Sequence, residues 1–306
     1  MKTNIILLYI IMSLCWGLTW FFLKFSLKAM PLLWGISMRF LIAGSIFWII
    51  YFIKNDRVRI MPDLRSVYIR FTLLNYTLCY LLTYWSTQFI YSNLGSILWS
   101  LFPICVTGMA HIYLPDDRLN MKKSLSMAIG FIGTIMLLYN GESLGEGKVF
   151  LGIFAMLIAI IMAAWPNVYV KIKKPVINTF HLNAVGMSIA GTIMLCASLL
   201  FESGQTIPTD GANIFAILFL AIPGTVVTWG IYIWMLNHVH VSRLSYVAFF
   251  PPMLAILIGW IFLGESLSTI SLVGAGLVIT GGFLINYQSR SPVQSKEMEL
   301  SPIPKD

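Results

Sequence analysis

The chain of 306 residues is 58% hydrophobic and only 10% charged, with a mean hydropathy of +0.83 and a net charge of +8. Soluble domains carry about 25% charged residues, so this composition excludes an ordinary soluble globular protein and predicts an all-α integral membrane protein. Four cysteines (Cys15, Cys79, Cys105 and Cys196) fall inside apolar runs with no paired spacing, and read as small packing residues rather than a disulfide framework or a metal site.

A helix that crosses a bilayer needs ~20 mostly apolar residues. Ten such spans are predicted, at 5–24, 32–53, 68–89, 94–114, 123–140, 149–170, 179–201, 213–236, 242–263 and 268–287. The first resembles a signal peptide, but no small-residue cleavage site follows and the uncharged run is too long, so it reads as a span. The uncharged window 71–115 is too long for one crossing at ~1.5 Å per residue, and the polar cluster from Gln88 to Asn93 divides it. Beyond the last span, Pro292, Pro302 and Pro304 among Ser, Lys and Glu predict a disordered cytoplasmic tail over 289–306.

The second half of the chain carries an approximate copy of the first. At an offset of 148, Phe102-Pro103 falls on Phe250-Pro251, Asp117 on Glu265, Gly133 on Gly281 and Tyr139 on Tyr287. At an offset of 149, Trp16 meets Trp165, Trp20 meets Tyr169 and Lys24 meets Lys173. Five crossings per copy is an odd number, so the copies run in opposite senses through the membrane. Two inverted five-helix repeats are therefore predicted, over 1–144 and 145–288, an architecture that places a solute site at the midplane of many secondary transporters.

The basic charge follows the same topology. With the N-terminus inside, sixteen Lys and Arg residues lie in inner segments and three (Lys24, Lys28 and Lys148) in outer ones, leaving Arg39 within the second span. That bias fits the positive-inside rule and predicts both termini in the cytoplasm. It also accounts for the net charge through anionic lipid rather than nucleic acid, which is not an expected partner.

The candidate solute-binding residues are Trp16, Trp20, Arg39, Tyr80, Tyr84, Gln88, Trp165, Asn167, Trp229 and Tyr232. Arg39 costs at least ~2.5 kcal/mol at membrane depth unless paired, hydrated or snorkelling, and no Asp or Glu lies within a span to pair with it. Either it bonds neighbouring carbonyls or it faces a cavity and attracts an anionic group. Thr77, Tyr80, Tyr84 and Gln88 share one helical face, as do Thr225, Thr228, Trp229 and Tyr232 in the repeat-related span. Trp16 and Trp165 sit well inside their spans, away from the interfacial belts. Pro103, Pro166, Pro223 and Pro251 each remove a backbone donor and read as static kinks or as hinges.

Glycines in the fifth span (Gly130, Gly133) and the tenth (Gly274, Gly276, Gly281, Gly282) suit close helix packing, inside the chain or in a homodimer. His111, His181, His238 and His240 fall near the predicted inner ends of spans. The sequence holds no zinc-protease, nucleophile-elbow or Walker motif, so no catalytic residue, metal or other cofactor is predicted.

Several short motifs together resemble the EamA type of the drug/metabolite transporter superfamily. They are Trp16-Gly17 with Lys24, Arg39-Phe40, Phe102-Pro103-Ile104, Pro251-Pro252, and Leu263-Gly264-Glu265 ahead of a glycine-rich last span. In the first repeat the Leu-Gly-Glu counterpart departs from the pattern as Leu114-Pro115-Asp116-Asp117. The resemblance implies a ten-helix transporter of the bacterial inner membrane that exports amino acids or other small metabolites by alternating access. A membrane-embedded enzyme and a non-transporting receptor are the alternative classes. The first would need a nucleophile or metal cluster, and the second more extramembrane surface than these short outer loops provide.

Overall fold

The computed structural model describes residues 2–54, 62–90, 92–138, 148–173, 177–203, 210–254 and 269–287, and among them there is no strand. The expected tail at 289–306, the loop at 141–147, part of the ninth span and Leu263 to Glu265 lie outside the described residues. The chain begins with α1 (Lys2–Ala29) and α2 (Leu32–Lys54). Next come α3 (Pro62–Arg70), a π-helical stretch (Phe71–Leu78) and α4 (Cys79–Ser86), then α5 (Ser92–Trp99), α6 (Phe102–Tyr113) and α7 (Met121–Leu138). The second half opens with α8 (Val149–Lys173) and α9 (Thr179–Phe201). It continues through α10 (Gly211–Ala221), a second π-helical stretch (Ile222–Val227), α11 (Thr228–His238), α12 (Val241–Ser245) and α13 (Thr269–Tyr287).

Apolar runs set these helices, and polar residues stop or start them. Asn178 accepts a hydrogen bond from His181 N at 3.0 Å and Asp210 one from Asn213 N at 3.1 Å, each satisfying a donor that the first helical turn leaves free. Pro103 sits at the second position of α6, where a missing N–H costs no helical bond, so it opens a new helix there. Pro166 lies inside α8, and the Asn167 side chain donates to Ala163 O at 2.7 Å beside it.

Five helices are long and apolar enough to cross a membrane, among the described residues: Ile5–Ala29, Leu32–Lys54, Val149–Lys173, Thr179–Phe201 and Gly211–His238. The expected third and fourth spans are each assembled from shorter pieces, around the π stretch and around the turn at Ser100 and Leu101. Ile6, Ile10 and Phe21 on α1, Phe150 and Phe154 on α8, and Leu199 to Phe201 on α9 are all exposed. Apolar surface on this scale is a liability in water and is at home against lipid. The chain is a multi-pass membrane protein.

Two helix pairs pack with a self-complementary pattern. α2 lies along α9, and α7 along α13. A Cβ on Gly44 would fall 2.7 Å from Ser188 Oγ, and one on Gly191 would fall 2.9 Å from Leu41 Cγ. An offset of 147 carries Gly44 onto Gly191 and Leu41 onto Ser188, so the two contacts are each other's image. In the other pair, a Cβ on Gly133 would meet Gly274 O at 2.7 Å, while one on Gly281 would meet Ser126 O at 2.8 Å. An offset of 148 exchanges those positions too. The two π stretches extend the pattern: Thr77 Oγ1 donates to Thr72 O and Thr225 Oγ1 to Leu220 O, each five residues back and 148 residues apart.

Candidate functional site

The second π stretch creates the anchor of the site. A π-helical turn closes hydrogen bonds five residues apart and marks functional positions more often than chance. Within it the Gly224 carbonyl accepts hydrogen bonds from Arg39 Nη2 at 3.0 Å and from Thr228 Oγ1 at 2.9 Å. The Thr225 hydroxyl accepts from Arg39 Nε at 2.7 Å while donating to Leu220 O. Gly224 must be small, because a Cβ would fall 2.5 Å from Thr19 Cγ2.

From the first half, Tyr84 OH accepts from Arg39 Nη1 at 3.2 Å, and the guanidinium lies 5.0 Å from the Tyr80 ring centroid. Arg39 is 3% exposed. All three of these hydrogen-bond partners are neutral, and guanidinium does not give up its proton in proteins, so the site carries a full positive charge.

Around this cation is a cavity of ≈ 120 Å³ walled by residues from both halves of the chain. Trp229 Nε1 donates to Tyr80 OH at 2.8 Å, and Trp16 packs against Trp229 and Tyr232 with ring centroids 6.2 and 5.6 Å apart. Behind them, Tyr76 OH donates to Asn183 Oδ1 at 2.7 Å, and Asn183 Nδ2 donates to Trp229 O at 3.3 Å, which braces the aromatic wall. Five of the lining residues each carry a buried polar atom without a hydrogen-bond partner: Asn75 Nδ2, Thr83 Oγ1, Trp99 Nε1, Asn167 Oδ1 and Tyr232 OH. Buried polar groups are normally satisfied, so their concentration around the cavity is hydrogen-bonding capacity that the protein itself leaves unused.

Eight of the ten residues expected from sequence line this cavity: Trp16, Trp20, Arg39, Tyr80, Tyr84, Asn167, Trp229 and Tyr232. Gln88 does not, since α4 ends at Ser86 and the side chain is exposed in the following turn. Trp165 does not either. It lies two residues, about 200° of helix, from Asn167, and it packs on Tyr113 and Tyr169 with centroids 5.3 and 5.9 Å away. Of the expected hinge prolines, Pro251 lines the cavity and Pro223 opens the second π stretch.

Sequence reading missed Thr19, Asn75, Thr83 and Trp99. Asn75 stands five residues from Tyr80, a spacing that an α-helical wheel separates and that π-helical winding brings together.

Fold and cavity together define a multi-pass helical membrane protein with a small chamber lined by residues from both halves of the chain. Residues 3–139 and again 150–287 match the EamA-like transporter family, and the chain belongs to that family. It is 27% identical over 277 residues to the uncharacterized transporter YoaV of Bacillus subtilis (strain 168), covering 90% of this chain and 94% of that one. Protein PagO of Salmonella typhimurium is 21% identical, with 96% of this chain and 97% of that protein covered. The uncharacterized inner membrane transporter YedA of Escherichia coli (strain K12) is 25% identical, with 91% and 88% covered. One solved crystal structure superposes with a TM-score of 0.78 at 16% identity, over 97% of this chain and 99% of that one, a likeness of fold.

Proposed function

We propose that the protein is a secondary transporter or facilitator of the bacterial inner membrane. It exports amino acids or other small metabolites by alternating access between two inverted five-helix repeats, 1–144 and 145–288, in a ten-helix body. Arg39 carries this reading. It is a buried cation from the first half, fixed by Thr225 and Gly224 of the second half, at the wall of an aromatic cavity to which both halves contribute. A solute held there touches both halves at once, which is what couples its binding to their relative movement.

The repeat reading draws support from the double family match, the exchanged glycine contacts and the paired Thr-to-carbonyl bonds. Pro103, Pro166, Pro223 and Pro251 act as the hinges. The excess of inner Lys and Arg orients both termini to the cytoplasm. A cavity of ≈ 120 Å³ lies below the ~300–1,000 Å³ of pockets for drug-sized ligands, so the cargo is a small metabolite.

The test is uptake by the full chain reconstituted in proteoliposomes, against a panel of labelled amino acids and small organic acids. Saturable uptake that accelerates with unlabelled solute on the opposite side is the expected result. Rates equal to protein-free vesicles for the whole panel, with folded protein present, contradict it.

A further inference from the structure

Resting on the transporter reading above, we propose that the cavity selects a small carboxylate lacking an ammonium group, and carries a 2-hydroxy acid in preference to the 2-amino acid of the same skeleton. The first ground is charge. Arg39 brings one positive charge, and among the described residues neither Asp nor Glu lines the cavity to balance it. Burying a charge without a counter-charge costs several kcal/mol even after its hydrogen bonds are made. A ligand carboxylate supplies the missing charge and takes the guanidinium N–H groups that the three protein acceptors leave over. An ammonium on the same ligand restores the net positive charge of the chamber and is repelled by the same guanidinium.

The second ground is the sign of the unpartnered hydrogen-bonding groups. Trp99 Nε1 can only donate, the Asn75 amide offers a donor through Nδ2, and the Thr83 and Tyr232 hydroxyls can donate as readily as accept. Asn167 Oδ1 is the one obligate acceptor among these five. Its orientation is fixed, since the amide nitrogen faces the Ala163 carbonyl at 2.7 Å, which itself can only accept. Four groups that offer a hydrogen suit the lone pairs of a carboxylate and one further oxygen. The single amide oxygen suits one hydroxyl proton from the ligand. An ammonium presents three protons, and among these five groups only the Asn167 amide oxygen is an obligate acceptor, so its other protons need the Thr83 and Tyr232 hydroxyls to give up their donor role.

Two matched pairs test this with the reconstituted full chain: 2-hydroxy-4-methylpentanoate against leucine, and phenyllactate against phenylalanine. Uptake is measured with and without an imposed inside-positive membrane potential. The hydroxy acid is expected to outcompete its amino acid by about tenfold or more, one charged hydrogen-bonded contact being of that size. Its uptake should rise with the inside-positive potential, because a net charge moves. Trp99→Phe keeps the ring and removes one donor. It should lower hydroxy-acid affinity by about fivefold while leaving the amount of folded protein unchanged.

Equal or better uptake of the amino acids, without voltage dependence, overturns the selectivity and leaves transport intact. Failure to move either member of both pairs, by folded protein that moves another solute of the panel, also overturns it. Failure to move anything overturns both readings.

Discussion

Arg39 and Asp117 are buried to nearly the same degree, 3% and 2% exposed, yet they keep opposite company. Asp117 is ion-paired with Lys123, accepts hydrogen bonds from Ser242 N at 3.1 Å and Ser242 Oγ at 3.0 Å, and has the His240 ring nitrogen 4.0 Å away. Its charge is balanced and its oxygens are occupied. Arg39 has three neutral partners, no counter-charge among the described residues, and lines a cavity whose other residues include five with an unpartnered polar atom. One buried charge fastens the turn after α6 to the start of α12. The other is left receptive. A saturated ion pair has no capacity left for a solute, while an unbalanced cation beside a chamber keeps some.

Breaking the saturated pair should give the largest effect on folding. Asp117→Asn leaves Lys123 without its partner and should cost about 3–5 kcal/mol, read as a fall in melting temperature of roughly 10 °C in detergent. Adding Lys123→Met should recover part of that loss. An unchanged melting temperature in the single variant would make this pair ornamental.

Arg39 should behave in the opposite way. Arg39→Gln should reduce solute affinity by about 10- to 100-fold, the size of a hydrogen bond to a charged group, and Arg39→Lys should keep part of it. Uptake per reconstituted molecule, measured beside the yield of folded protein, separates the roles. Lost yield with normal uptake per molecule would mean that Arg39 only holds α2 against the second π stretch.

A smaller effect is expected at the bracing contact. Trp229→Phe removes the hydrogen bond to Tyr80 OH and should weaken solute affinity by about fivefold, near 1 kcal/mol, with little change in melting. Indifference of transport to this change would place the aromatic wall outside the solute's reach.

The smallest expected effect is with pH, and it belongs to the Asp117 cluster. Burial pushes the His240 imidazole below its usual pKa, against the opposing pull of Asp117, with Arg243, Lys123 and Lys171 adding repulsion. The unfolded chain then binds that proton more readily than the folded one. Stability is therefore fully present above the ordinary histidine value of ~6.5 and falls as pH drops below it. Melting curves at pH 8 and pH 5.5 should differ modestly, and His240→Gln should narrow the difference. A melting temperature that rises on acidification would reverse the sign assigned here.

Composition made the membrane class legible, and three-and-four spacing made the walls of the cavity legible. Tyr80 with Tyr84, and Trp229 with Tyr232, sit on continuous helix and fall where an α-helical wheel puts them. What stayed hidden depends on departures from that wheel. Asn75 reaches the cavity through the π stretch, and Trp99 at the end of α5, beside a turn that no periodicity announces. Gln88 fails to reach it because the helix stops two residues earlier. Trp165 and Asn167 are both expected at the site, but two residues on a helix face nearly opposite ways, and only Asn167 lines the cavity. The neutral shell around Arg39 is equally unreadable, since hydrogen bonds to Gly224 O, Thr225 and Tyr84 on other elements leave no mark on composition or spacing.

A chamber that is an aqueous stop on a solute's path should be reachable by thiol reagents. Thr83→Cys and Tyr232→Cys would be placed singly in a chain with Cys15, Cys79, Cys105 and Cys196 replaced by Ala or Ser. Each would then be exposed to a small charged thiol reagent from either side of the membrane. The account predicts reaction at both positions, slowed by a saturating transported solute. Complete protection of both from both sides, in folded and transport-competent protein, would mean dry packing and would contradict it.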